Sequence, residues 1–98
     1  MTNVFEITDK TGRKIRLPNK QWRHIMKKHP YMEKYLEEIK ETLKIPDKIT
    51  EYSPDETIRY YYRRYKYVKS PNYFILVIVK YLNGEGFVIT AYFTDKLK

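Results

Sequence analysis

Two imidazoles lie five positions apart, His24 and His29, in the segment Trp22-Arg23-His24-Ile25-Met26-Lys27-Lys28-His29-Pro30. Their unperturbed pKa lies near neutrality, so they can take up or release a proton in a reaction near pH 7. The segment belongs to a basic stretch: residues 10–28 contain eight Lys or Arg and no Asp or Glu. A second acid-free stretch, residues 57–84, holds Arg59, Arg63, Arg64, Lys66, Lys69 and Lys80. Proton-transfer groups set among cations are what metal-free cleavage of a phosphodiester requires, because the cations hold the phosphate and spread its developing charge.

Other chemistries fit less well. Helical metal pairs need i, i+3 or i, i+4 spacing, and the two histidines are at i, i+5 with no carboxylate close by. No metal or other cofactor is therefore expected. The glycines are Gly12, Gly84 and Gly86 alone, which leaves no Gly-rich phosphate loop. The absence of cysteine excludes a disulfide scaffold and a thiolate zinc site. Each candidate also has a plainer reading. His29 suits a helix end before Pro30, and His24 a hydrogen-bonded packing residue.

Two further groups could complete such a site. Arg59-Tyr60-Tyr61-Tyr62-Arg63-Arg64-Tyr65-Lys66-Tyr67 offers cations for phosphate and aromatic faces for bases, or simply a solvated strand. Thr90 and Tyr92 put two hydroxyls on one side of the last strand, where they could hold a scissile phosphate; β-propensity alone also explains them.

The net charge of +8 over 98 residues describes one small basic domain, suited to a polyanion such as RNA, DNA or anionic lipid. No apolar leader and no membrane-length run is present, so a cytoplasmic protein without membrane contact is expected.

The elements that would position these groups follow from periodicity. Residues 3–7 and 13–17 alternate around a turn ending in Gly12, which predicts a hairpin. Pro18 stops it, and Asn19 is the expected N-cap of a helix over 20–29. Trp22, Ile25, Met26 and His29 share that helix's apolar face, and His24 points the other way. A second helix is expected over 31–43, with Met32, Tyr35, Leu36, Ile39 and Leu43 inward. Strands follow at 49–52, 57–68, 73–82 and 87–94. The last should turn Phe87, Ile89, Ala91 and Phe93 toward the helices. The faces of residues 60–66 stay open, because both parities carry Tyr and Arg. The class is α+β: an N-terminal β-hairpin, two helices, then an antiparallel meander sheet with the helices on one face.

In order and spacing, Trp22-x-His24-Ile25-x-x-x-His29-Pro30, Pro46-Asp47-x-Ile49, Tyr61-Tyr62-Arg63 and Phe87-Val88-Ile89-Thr90-Ala91-Tyr92 resemble the phage-type branch of the barnase/EndoU/colicin/RelE-like (BECR) nucleases. The resemblance spans residues 22–96. It implies helices packed on a four-stranded antiparallel sheet. It also implies a metal-independent endoribonuclease that cuts through the ribose hydroxyl, with many members acting as toxins. Its site would draw a His from the helical half and Arg, Lys, Thr or Tyr from the sheet. The chain departs from barnase-like members in offering no acidic base, which leaves that work to histidine or makes the mechanism mainly positional.

The expected catalytic set is His24, His29, Arg63, Lys80, Thr90 and Tyr92, with His29 nearer than His24 to the Arg63, Thr90 and Tyr92 group. The expected nucleic-acid contacts are Lys20, Arg23, Lys27, Lys28, Arg59, Tyr62, Arg64 and Lys66. The expected partners are RNA, single-stranded or tRNA-like, and an acidic antitoxin or immunity protein. A non-catalytic nucleic-acid-binding module and a basic protein-interaction domain are the alternative readings.

Overall fold

The computed structural model describes residues 2–52, 54–66 and 74–96. The N-terminal hairpin forms as expected, from β1 (Asn3–Thr8) and β2 (Lys14–Pro18). Asp9 organises its turn: the carboxylate accepts from the backbone N–H of Thr11 and of Arg13, both at 2.9 Å, and from the Thr11 hydroxyl. Helix α1 (Asn19–Lys28) follows. Asn19 is not its cap. Pro18 takes the cap position with extended backbone, and Asn19, the first helical residue, turns its amide to the Thr2 hydroxyl.

Pro30 ends α1 because it has no N–H to continue the ladder. The chain then tightens into a 3-10 helix (Pro30–Tyr35) before α2 (Leu36–Lys44). The expected single helix over 31–43 is thus split. Its apolar stripe survives, with Met32, Ile39 and Leu43 fully buried.

The remaining strands are β3 (Lys48–Glu51), β4 (Ile58–Arg64), β5 (Phe74–Leu82) and β6 (Glu85–Thr94). Of the predicted 57–68 strand, residues 67 and 68 lie outside the described residues, as do Ser53, the predicted turn at 69–72 and Tyr73. The four strands form the antiparallel meander. The sheet does not stop there: β2 pairs in parallel with β6 through Ile15↔Gly86 and Arg16↔Phe87. The result is one mixed six-stranded sheet in the order β1-β2-β6-β5-β4-β3.

Asn83 and Gly84 both have positive φ, which makes a two-residue hairpin turn between Leu82 and Glu85. That turn alone would put Thr90 on the helix side. A β-bulge corrects it: Ile78 pairs with Thr90 and Val79 with Val88, leaving Ile89 as the extra residue. The bulge reverses parity along β6. Val88 and Ala91 both join the core, while Phe87 and Thr90 lie on the other face. The expected uniform face of Phe87, Ile89, Ala91 and Phe93 therefore holds only beyond the bulge.

The core lies between the helices and one face of the sheet. Ile25, Met32, Ile39 and Leu43 meet Ile15, Leu17, Tyr61, Ile75, Val77, Val79, Val88 and Ala91. Each fully buried side chain of this size contributes about 1.5–3 kcal/mol relative to exposure. On β4 the register settles the ambiguous parity. Arg59, Tyr61 and Arg63 stand on the helix side, and Tyr60, Tyr62 and Arg64 on the opposite face.

One polar cluster interrupts the core. The hydroxyls of Tyr61 and Tyr81 both reach the Asp9 carboxylate and each other. Burial pushes the Asp9 pKa up, but hydrogen bonds from Tyr61, Thr11, the Arg13 backbone and Tyr81 outweigh it, and the net shift is downward. Burial and the Asp9 carboxylate hold Tyr61 protonated, and Tyr81 is pushed up to about 12, first by burial. The cluster clamps the hairpin turn to the centre of the sheet.

Candidate active site

The parallel pairing of β2 with β6 covers only the start of β6. Beyond Phe87, β6 is met by α1 and, at Phe93, by Tyr31 and Tyr35 of the 3-10 helix. The Gln21 side chain donates to the carbonyl of Ile89, the bulge residue, at 3.3 Å. Further along, adjacent residues of β6 face opposite ways, and the junction after α1 touches both. The His29 ring lies 5.1 Å from the Tyr92 ring, and the Tyr31 and Tyr35 rings lie 4.7 and 5.1 Å from Phe93. The junction straddles the sheet edge, and a cleft opens between it and β6.

Gln21, His24, Lys28 and His29 line one wall of this cleft, and Ile89, Thr90 and Tyr92 the other. Helical geometry explains the first wall. Gln21, His24 and Lys28 are at i, i+3 and i+7, on one stripe. His29 joins them because it is the cap, with non-helical backbone (φ −133°, ψ 72°) and its N–H still bonded to the Ile25 carbonyl at 2.7 Å. The two histidines thus share a cleft although their spacing would set them apart on a continuous helix. His24 finds its opposite wall in β6.

The electrostatics of the cleft are cationic. Partial burial first, and then Lys28 and His24, hold the His29 imidazole below its ordinary pKa of 6.5. It is neutral at pH 7 and able to accept a proton. Its Nδ1 lies 3.4 Å from the Tyr31 hydroxyl, which also accepts a long hydrogen bond from the Phe93 N–H. The tautomer that donates Nδ1–H to Tyr31 leaves Nε2 as the basic nitrogen, and the other tautomer accepts from the Tyr31 hydroxyl at Nδ1.

The other expected catalytic residues stand elsewhere. Arg63 is on the helix side of β4, where its guanidinium donates to the Ile45 carbonyl at 2.8 Å and pairs with Glu41 at 3.5 Å. It secures the end of α2. Lys80 shares the face of Thr90, but its ammonium is tied to Asp55 and Thr57 at 3.1 and 3.0 Å. The Thr57 hydroxyl and backbone N–H, with Lys80, hold the Asp55 carboxyl at about 2.

Among the expected nucleic-acid contacts, Lys28 lines the cleft, and Lys20, Arg23 and Lys27 are exposed on α1. Arg59 pairs with Glu51 at 3.2 Å. Arg64, on the face of β4 away from the helices, and Lys66 are exposed. Tyr62 corrects the expectation: its side chain is fully buried, with its ring edge-on to Phe74 at 6.3 Å, and it has no face left for a base. Gln21 and Tyr31 were not foreseen. The i−3 spacing of Gln21 from His24 was the available signal; nothing local marked Tyr31.

Among the described residues no group of three or more His, Asp or Glu is placed to hold a metal ion, and no helix is long and apolar enough to cross a membrane. A mixed α+β sheet with a histidine-bearing basic cleft at its edge is a scaffold suited to acting on a phosphodiester. Residues 4–98 match the family model of the phage-Barnase-EndoU-ColicinE5/D-RelE like nuclease2, and the chain belongs to that nuclease family. No curated protein and no solved structure matches it significantly.

Proposed function

We propose that the protein is a metal-independent RNA endonuclease whose reaction centre is the cleft between α1 and β6. The observation that carries this reading is the convergence of two imidazoles and an ammonium with the Thr90 and Tyr92 side of β6, in a chain of a nuclease family. His29, neutral at pH 7, takes the proton from the ribose 2′-hydroxyl as that oxygen attacks phosphorus. His24 in its protonated form returns a proton to the departing 5′-oxygen. Lys28 offsets the charge that builds on the phosphorane, and the hydroxyls of Thr90 and Tyr92 fix the phosphate between them. The products are a 2′,3′-cyclic phosphate and a free 5′-hydroxyl.

Among the described residues no carboxylate lines the cleft, so the histidines replace the acidic base of barnase-like members. An acidic protein as the inhibitor of such a toxin accords with the chain's net charge of +8, and a cytoplasmic place of action belongs to the same reading. Single-stranded RNA and DNA of the same sequence, each incubated with excess EDTA, test the reading. RNA should be cut to cyclic-phosphate ends and DNA left intact. Activity lost on chelation and restored by magnesium would overturn it. RNA binding without cleavage would favour the binding-module alternative.

A further inference from the structure

Positive charge is distributed unevenly between the sheet and α1. Of the sheet cations, Arg16, Arg59, Arg63 and Lys80 are each paired with a carboxylate, and Lys14 and Lys48 are in no ion pair among the described residues. Among the described residues, Lys20, Arg23, Lys27 and Lys28 of α1 form no ion pair. Lys20, Arg23 and Lys27 are at i, i+3 and i+7, a stripe adjacent to that of His24 and Lys28. Around α1 from the cleft, toward the helix start, Lys20 and Arg23 line a second concavity with Arg16 and Asn3. Arg16 is already paired to Glu85 at 3.2 Å, so the uncommitted charge there comes from Lys20 and Arg23.

We propose that this second concavity is a phosphate subsite for the same nucleic-acid strand, so that the substrate's backbone runs along the outer surface of α1. The inference rests on the cleft being where RNA is held. Lys20 and Lys28 are eight residues apart, roughly 12 Å along the axis at about 1.5 Å per residue. One phosphate cannot reach both. Lys28 in the cleft and Lys20 in the concavity therefore engage different phosphates of one strand, and Lys27 lies on the stripe of Lys20 and Arg23. A dinucleotide fills the cleft and leaves the subsite empty; a longer strand fills both.

The test is binding of single-stranded oligodeoxynucleotides, which lack the attacking hydroxyl, by the intact chain and by a Lys20→Gln, Arg23→Gln variant. One ligand is a dinucleotide and the other about six nucleotides, within the site sizes of single-strand binders. The variant should lose on the order of tenfold in affinity for the longer strand and little for the dinucleotide. Its salt dependence should become shallower by about 0.7 per lost phosphate contact. A Lys34→Gln, Lys44→Gln variant removes the same charge from elsewhere and should bind like the parent. Equal losses on both ligands, equal losses in both variants, or no loss would overturn the subsite. Polyglutamate competing as well as the oligonucleotide would overturn it too, marking a general acidic-partner surface. The outcomes separate from those of the catalytic reading: a chain that cuts no RNA yet shows the length-selective loss keeps the subsite and loses the nuclease.

Discussion

His29 carries the greatest chemical weight of any single residue, and its environment makes a pH prediction. Burial and neighbouring positive charge lower its pKa, so the imidazole remains a base to slightly acid pH. The acid limb of the kcat/KM profile on RNA should then have its midpoint below 6.5; a midpoint above that value would show that His29 is not the base. The same shift bears on stability. A histidine that resists protonation when folded contributes stability fully present above its unfolded pKa and lost as pH falls below it. Neither histidine's role was legible from spacing alone. Periodicity set His24 and His29 on different faces, and only the cap conformation of His29, imposed by Pro30, brings both into one cleft. The charge pattern did point to the right segment, because an acid-free run cannot neutralise itself.

At the scale of elements, the sheet depends on two devices that local sequence could not declare. One is the bulge at Ile89, which sets the faces of Thr90 and Ala91. The other is the close approach at Gly86, where an added Cβ would stand 2.9 Å from both Val79 Cγ1 and Tyr81 Cε1. Gly86→Ala should cost about 1–3 kcal/mol, measured by chemical denaturation, since the branched Val79 cannot move aside freely. A parent-like midpoint would mean that β5 and β6 have room to shift. Tyr61→Phe removes one donor from the buried Asp9 carboxylate and should cost about 1–3 kcal/mol. Asp9 has its pKa lowered on folding, so its contribution is complete above the ordinary carboxylate range and lost as pH falls through the folded value. In Tyr61→Phe that folded value rises, and acid unfolding should begin at higher pH than in the parent. An unchanged acid midpoint would detach Asp9 from acid stability. The hairpin, the helices and the meander were legible as alternation and 3.6-residue periodicity. The parallel joining of β2 to β6 was not, because it links distant segments with no local mark.

For the whole molecule, the question is where a +8 protein presents its charge. Pairing engages Arg16, Arg59, Arg63 and Lys80 of the sheet, whereas Lys20, Arg23, Lys27 and Lys28 gather four cations on α1 that form no ion pair among the described residues. Charge reversal at Lys27 and Lys28 should therefore weaken RNA binding more than reversal at Lys40 and Lys44, where Lys40 is already paired with Glu37. Equal effects in a salt titration would show that RNA is drawn by net charge without a preferred face.

The central claim is that chemistry occurs in the cleft between α1 and β6, and the single-turnover cleavage rate of His29→Ala on single-stranded RNA in excess EDTA tests it most directly. The variant should fold as the parent does, bind a non-cleavable strand as tightly, and cleave roughly a hundredfold more slowly or worse, the loss typical of removing a general acid or base. A variant that binds and cleaves at the parent's rate would contradict the account.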